Sequence, residues 1–146
     1  MEPVIRQRTV RPSQQINMFF NLYINEYIEF IKKTLENEDF VRLARVLLPF
    51  DNAASAVLKI IDDNSPIKSM GITLVKMEMD EEKYLMGISF MIVNEEYKGP
   101  SDMIRFISAG YSIDEFKRHV RDDSFKNKVR KQFKCMIDDI SVNKNN

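Results

Sequence analysis

The most reactive side chains of this sequence lie in its last third. His119 is the single histidine and Cys135 the single cysteine of the 146-residue chain. Asp122 or Asp123 is close enough along the chain to orient and charge the imidazole, as general-base catalysis requires. Ser124 follows, but it lacks the G-x-S-x-G context of an activated serine nucleophile. The pattern therefore favours an ordinary surface histidine and an inert cysteine, and it predicts a non-enzymatic protein with no catalytic residue.

Carboxylates occur in short runs that could in principle bind a cation. The runs are Asp62-Asp63, Asp80-Glu81-Glu82 and Glu95-Glu96, all in predicted turns or helix ends. No EF-hand spacing, H-E-x-x-H motif or Cys/His cluster accompanies them. With four glycines in the whole chain, no phosphate-cradling or dinucleotide-binding loop is present either. The sequence predicts no metal, no cofactor and no evident small-molecule substrate.

Basic side chains suit an electrostatic partner better than they suit catalysis. They lie on the outer side of the predicted final helix and in the N-terminal segment, at Lys128, Arg130, Lys131, Lys134, Arg6, Arg8 and Arg11. Such a set could contact the phosphates of nucleic acid or an acidic partner. Asp138 and Asp139 dilute it, and amphipathic helices ordinarily carry lysine outside. A solvated helix face is the favoured interpretation, and nucleic-acid binding is the alternative hypothesis.

Composition limits the class of protein. The apolar fraction of 44% is typical of a globular chain, and 22 basic residues balance 22 acidic ones. Zero net charge argues against a dedicated nucleic-acid or membrane-surface protein. The apolar runs are far shorter than the roughly 20 residues that a membrane span needs. The first residues contain no apolar signal-peptide region, and one cysteine cannot form an internal disulfide. These features predict a cytoplasmic protein without a membrane segment.

The stretch 14–37 is the element around which the fold is predicted to form. Its apolar residues cover a continuous arc of about 180° on a helical wheel, wider than a coiled-coil seam, which predicts a core helix. Ser13 is placed to cap its first amides. Met18 and Leu22 interrupt the polar side one turn apart. They indicate either a contact with a protein partner or scattered exposed apolar residues, which are common.

The remaining chain predicts further helices around one hairpin. We expect helices at 40–48 and 51–62, strands at 69–79 and 84–93, and a short helix at 101–108 ended by Gly110. Ser112 and Glu115 form a capping box, with Tyr111 and Phe116 as its hydrophobic staple. A break near 122–124 then separates that helix from the last one.

These elements predict a mainly helical α+β domain. A long N-terminal core helix and a C-terminal helical pair pack on an antiparallel β-hairpin, in one domain over 13–141 with an arm at 1–12 and a flexible tail at 142–146. An isolated hairpin is marginally stable, so it must gain strands, either from residues 4–10 or from a second copy. The favoured function is a protein-interaction or assembly protein that forms a homodimer through the hairpin edge or the Met18/Leu22 face.

Overall fold

Two long helices pack against one face of a four-stranded sheet. The computed structural model describes residues 12–49, 51–94 and 99–145. Their helices and strands are, in chain order, α1 (Pro12–Glu36), α2 (Glu38–Val46), β1 (Ala54–Lys59), β2 (Ile67–Lys76), β3 (Tyr84–Asn94), β4 (Gly99–Tyr111), α3 (Ile113–His119) and α4 (Asp123–Asn145). The α+β class is confirmed. The predicted arm, apart from Pro12, lies outside the described residues.

The sheet is an antiparallel meander in which each strand pairs with the next along the chain. Its order is β1-β2-β3-β4, so the predicted hairpin, now β2 and β3, is confirmed as the centre of the sheet. Strand β1 pairs along the outer edge of β2, and β4 pairs along the outer edge of β3. Both hairpin edges are thus paired within the chain, by β1 on one side and β4 on the other.

Two predicted helices are wrong, because both segments are strands. In the segment predicted as a helix over 51–62, alternate residues of β1 turn toward the helices, with Ala54 buried and Val57 exposed. In β4, Ile104 and Phe106 stay exposed while Ile107 is buried. Apolar residues spaced three and four apart satisfy a helical pattern as well as a strand pattern over so few positions. Both segments are strands because they pair with the edges of the hairpin, β1 with β2 and β4 with β3. Gly110, with φ of 85°, belongs to the end of β4.

The core lies between the sheet and the two long helices. Phe20 of α1 stacks on Phe133 of α4 with ring centroids 4.0 Å apart and an interplanar angle of 6°. Phe90 of β3 meets Phe20 edge-on at 5.7 Å and Phe133 at 4.7 Å. Tyr27 is fully buried and donates its hydroxyl hydrogen to the carbonyl oxygen of Gly71. The apolar arc predicted for the first helix is therefore the face that contacts the sheet.

Helices α1 and α4 run antiparallel to one another. Arg121, just before α4, forms a 2.7 Å ion pair with Glu36 at the end of α1. Farther along α4, the Nε of Arg130 donates to the side-chain oxygen of Asn21 at 3.2 Å, near the start of α1. The Arg121–Glu36 ion pair and the Arg130–Asn21 hydrogen bond thus connect the two helices at the border of the core.

The predicted start of α3 is confirmed. The Ser112 hydroxyl accepts from the Glu115 amide at 3.1 Å, and the Glu115 carboxylate accepts from the Ser112 amide at 2.9 Å. The Tyr111 and Phe116 rings lie 5.2 Å apart across the cap, as a hydrophobic staple requires. The chain leaves α3 after His119 and begins α4 at Asp123, close to the predicted break. Helix α4 includes residues 142–145, which the sequence analysis placed in the tail.

Candidate interaction surface

His119 lies in an aromatic cluster. Its ring stacks on Tyr111 at 5.2 Å with an interplanar angle of 14°, and meets Phe125 edge-on at 5.4 Å. Its Nε2 is buried without a hydrogen-bond partner. Burial, and secondarily the positive charge of Lys128, lower the pKa of His119 from its usual 6.5. The backbone amide of Asp122 donates to the His119 carbonyl oxygen at 3.2 Å, but among the described residues no side-chain hydrogen bond joins the imidazole to Asp122 or Ser124. The arrangement is that of a neutral packing residue, whereas the sequence pattern predicts an ordinary surface histidine.

This packing predicts that His119 makes stability depend on pH. Because its pKa is lower in the folded chain than in the unfolded one, the unfolded state binds more protons below about pH 6.5. The contribution of His119 to the free energy of unfolding is therefore fully present above that pH. It is lost as the pH drops toward the folded pKa, with a slope of at most about 1.4 kcal/mol per pH unit for one proton.

His119→Phe should keep the ring contacts and remove this dependence. Urea denaturation at pH 7.5 and 5.5 measures it, since carboxylates such as Glu115, whose hydrogen bonds to Ser112 lower its pKa, titrate at lower pH. We expect a smaller stability difference between the two pH values in the variant. An equal difference in the two proteins would show that His119 is not responsible.

Some side chains of the predicted basic face form hydrogen bonds to other residues of the same chain. Lys128 donates to the Ser108 hydroxyl of β4 at 2.9 Å, and Arg130 donates to Asn21 and Asn127 at 3.2 Å each. Lys131 and Lys134 are exposed. Arg6, Arg8 and Arg11 lie outside the described residues, so the structure does not join them to this face. Two of the four basic residues predicted on α4 thus form hydrogen bonds to the neighbouring elements β4 and α1.

Met18 and Leu22 are exposed on the outer side of α1. The exposed fractions are 61% and 74%, so the position predicted for them is confirmed. Asn21 and Asn25 accept hydrogen bonds from Arg130 and Lys126 at the border with α4. Among the described residues two apolar side chains form this patch, which is small for a protein contact.

A larger exposed apolar surface lies on the side of the sheet away from α1 and α4. We call it the open face, and it consists of three rows of four residues that cross the sheet in register. The rows are Lys59-Ser69-Met91-Asp102, Val57-Gly71-Ser89-Ile104 and Ser55-Thr73-Gly87-Phe106. Val57 is 55% exposed, Ile104 54% and Phe106 48%. The sequence pattern does not reveal this surface, because the segments of β1 and β4 are predicted from it as helices.

The open face is concave. Apart from Met91, small residues of β2 and β3 form its floor, and Val57, Ile104 and Phe106 of β1 and β4 rise at its sides. A Cβ on Gly71 would lie 2.4 Å from the Ser89 hydroxyl and 3.6 Å from the Val57 side chain, which places all three on one side. The Phe106 ring lies over Gly87, 3.2 Å from where a Cβ would be. Between the walls lies a groove of about 580 Å³, which is lined by every residue of the first two rows except Gly71 and also by Ile60, Lys68, Phe90 and Met103.

The groove is suited to contact rather than to chemistry. Its walls are mainly aliphatic, and its charged groups lie at the rim, where Lys59, Lys68 and Asp102 border it. In the part of the chain that the structure describes, no three His, Cys, Asp or Glu residues form a group that could hold a metal ion. Within the same residues, no helix combines the length and the apolar character needed to cross a membrane.

Comparisons of the chain with protein-family models, with curated proteins and with solved structures find no match.

Proposed function

We propose that this chain is a non-enzymatic interaction or assembly protein that binds its partner through the open face of the sheet. The observation that carries this proposal is the exposure of Val57, Ile104 and Phe106 on one continuous side of the sheet. A contiguous exposed apolar surface commonly marks a protein-binding site. A single cysteine suits a reducing compartment, so we propose the cytoplasm as its location.

The open face is a better candidate than the other surfaces predicted from the sequence. The Met18/Leu22 patch offers two side chains, whereas the open face spans four strands. On the basic side of α4, Lys128 and Arg130 donate hydrogen bonds to Ser108 and Asn21. The alternative of nucleic-acid binding gains no support from these contacts, because a cation held inside the chain releases fewer counterions on binding phosphate.

A site-specific photo-crosslink tests the proposal. Phe106 is replaced by p-benzoylphenylalanine, a phenylalanine derivative, and the protein is irradiated in lysate of its source organism. The matched control carries the same group at Met79, which is 93% exposed in the turn between β2 and β3. We expect a discrete crosslinked product from position 106 and none from position 79, because only the former lies in the proposed contact.

The mass of the product identifies the partner by size. A product of twice the chain mass indicates a second copy, and any other discrete mass indicates a different protein. Absence of a product at position 106, or the same products from both positions, would contradict the proposed function.

A further inference from the structure

The open face carries two charges that find no ion pair within the described part of the chain. Lys59 lies on the β1 wall and Asp102 on the β4 wall, and both are exposed. They occupy the two ends of one row, because Lys59 pairs with Ser69, Ser69 with Met91 and Met91 with Asp102. A surface with opposite charges at opposite ends of one row can complement a copy of itself.

We infer that the partner of the open face is a second copy of this chain, docked sheet to sheet about a two-fold axis parallel to the strands. This inference rests on the proposed function. Such an axis keeps the position of each residue along its strand but reverses the order of the strands. Strand β1 of one copy then faces β4 of the other, and β2 faces β3. Lys59 of each copy lies opposite Asp102 of the other, which forms two equivalent ion pairs.

The apolar residues fit the same axis. In the second row, Val57 of one copy faces Ile104 of the other, which joins the two exposed aliphatic walls. In the third row, Phe106 faces the small Ser55, which allows the bulkiest side chain of the face to find room. In the first row, Met91 faces Ser69 in the same way. All of these pairs follow from the strand register.

A two-fold axis across the strands gives a poorer match. It would keep the strand order and reverse the rows, so that Asp102 would lie opposite Phe106 and Lys59 opposite Ser55. Both charges would then lose water without gaining an opposite charge, which is unfavourable. Either axis keeps the strands of the two sheets aligned, as in aligned sheet-on-sheet packing, so the side-chain pairs decide between the two.

The size of the face sets the strength that we expect. Four strands about 4.8 Å apart and three rows about 6.8 Å apart cover roughly 400 Å² of sheet. A standard interface buries about 800 Å² of accessible surface per partner. The side chains make the accessible surface larger than this flat area, but the buried surface remains at the small end of the range for protein interfaces. We therefore expect a dimer with a dissociation constant of about 1–100 µM.

Charge exchange between the walls tests the geometry. The variants are Lys59→Asp and Asp102→Lys, separately, combined in one chain and mixed as two single variants. Sedimentation velocity over micromolar to several hundred micromolar protein measures association. Each single variant should dimerise at least about tenfold more weakly than the unaltered chain, because like charges then face each other twice. The double variant and the equimolar mixture should both recover, because each restores two opposite pairs.

Two controls accompany the series. Lys33→Asp changes an exposed lysine on α1, outside the open face, and should leave dimerisation unchanged. Thermal melts of every variant check the fold, which the exposed positions of Lys59 and Asp102 should preserve.

Three outcomes would overturn the inference: an unaltered chain that stays monomeric at several hundred micromolar, single variants that dimerise as well as it does, or a mixture no stronger than its components. The crosslink from position 106 separates this failure from that of the proposed function. A monomeric chain that still crosslinks to another protein there would retain the interaction role and lose only the second copy as its partner.

Discussion

Replacing Phe133 by alanine should lower the free energy of unfolding by about 3–5 kcal/mol. Its side chain is fully buried, stacks on Phe20 at 4.0 Å and meets Phe90 edge-on at 4.7 Å. Alanine would leave a cavity at the one place where α1, α4 and β3 meet through aromatic rings. A domain of this size has a free energy of unfolding of about 5–15 kcal/mol in total. The variant should therefore unfold at a lower temperature and at a lower denaturant concentration than the unaltered chain.

Urea denaturation followed by far-UV circular dichroism measures this loss. The matched control is Phe106→Ala, which removes the same ring from a half-exposed position on the open face. We expect the control to cost less than half as much, since its ring already contacts water. Equal losses for the two variants would contradict the core assigned to the Phe20, Phe90 and Phe133 rings.

Gly71→Ala should destabilise the chain by about 1–3 kcal/mol through overpacking. The new Cβ would lie 2.4 Å from the Ser89 hydroxyl and 2.9 Å from the Ala56 carbonyl oxygen. The serine can rotate away, but the carbonyl belongs to the backbone of β1 and cannot move without disturbing the strand. On the other side of the sheet, the hydroxyl of Tyr27 holds the Gly71 carbonyl, which prevents β2 from shifting to relieve the contact.

Adding Ser89→Ala to this variant separates the two clashes. It removes the hydroxyl and should recover part of the loss, while the contact with the Ala56 carbonyl remains. Gly110→Ala is the control, because a Cβ there meets nothing within 4 Å and only the φ of 85° opposes it. We expect a cost of about 1 kcal/mol from that conformation. Full recovery by Ser89→Ala, or a neutral Gly71→Ala, would contradict close packing of β1 on β2.

Sequence patterns predict the parts of this fold that depend on neighbours along the chain. The long apolar arc of α1, the cap at Ser112 and the central hairpin all follow from residues within a few turns of each other. Strands β1 and β4 do not, because their short apolar patterns fit a helix and a strand equally well. What makes them strands is the free edge that β2 and β3 offer, which only the assembled sheet reveals.

The candidate interaction surface was hidden for the same reason. Its walls belong to β1 and β4, so Lys59 and Asp102 share a row only once the register of all four strands is known. The basic residues of α4 show the converse case. Their sequence pattern indicates a free cationic face, whereas Lys128 and Arg130 find their partners in β4 and α1, far away along the chain.

The stacking of Phe20 on Phe133 has a consequence for synthesis on the ribosome. The two rings are separated by most of the chain, and translation at about 5–20 residues per second needs roughly 6–23 s to pass from one to the other. During this interval the apolar side of α1 has no α4 to cover it, although the meander can already pair strand by strand. The nascent chain therefore exposes the aromatic side of α1 to water until its last helix emerges.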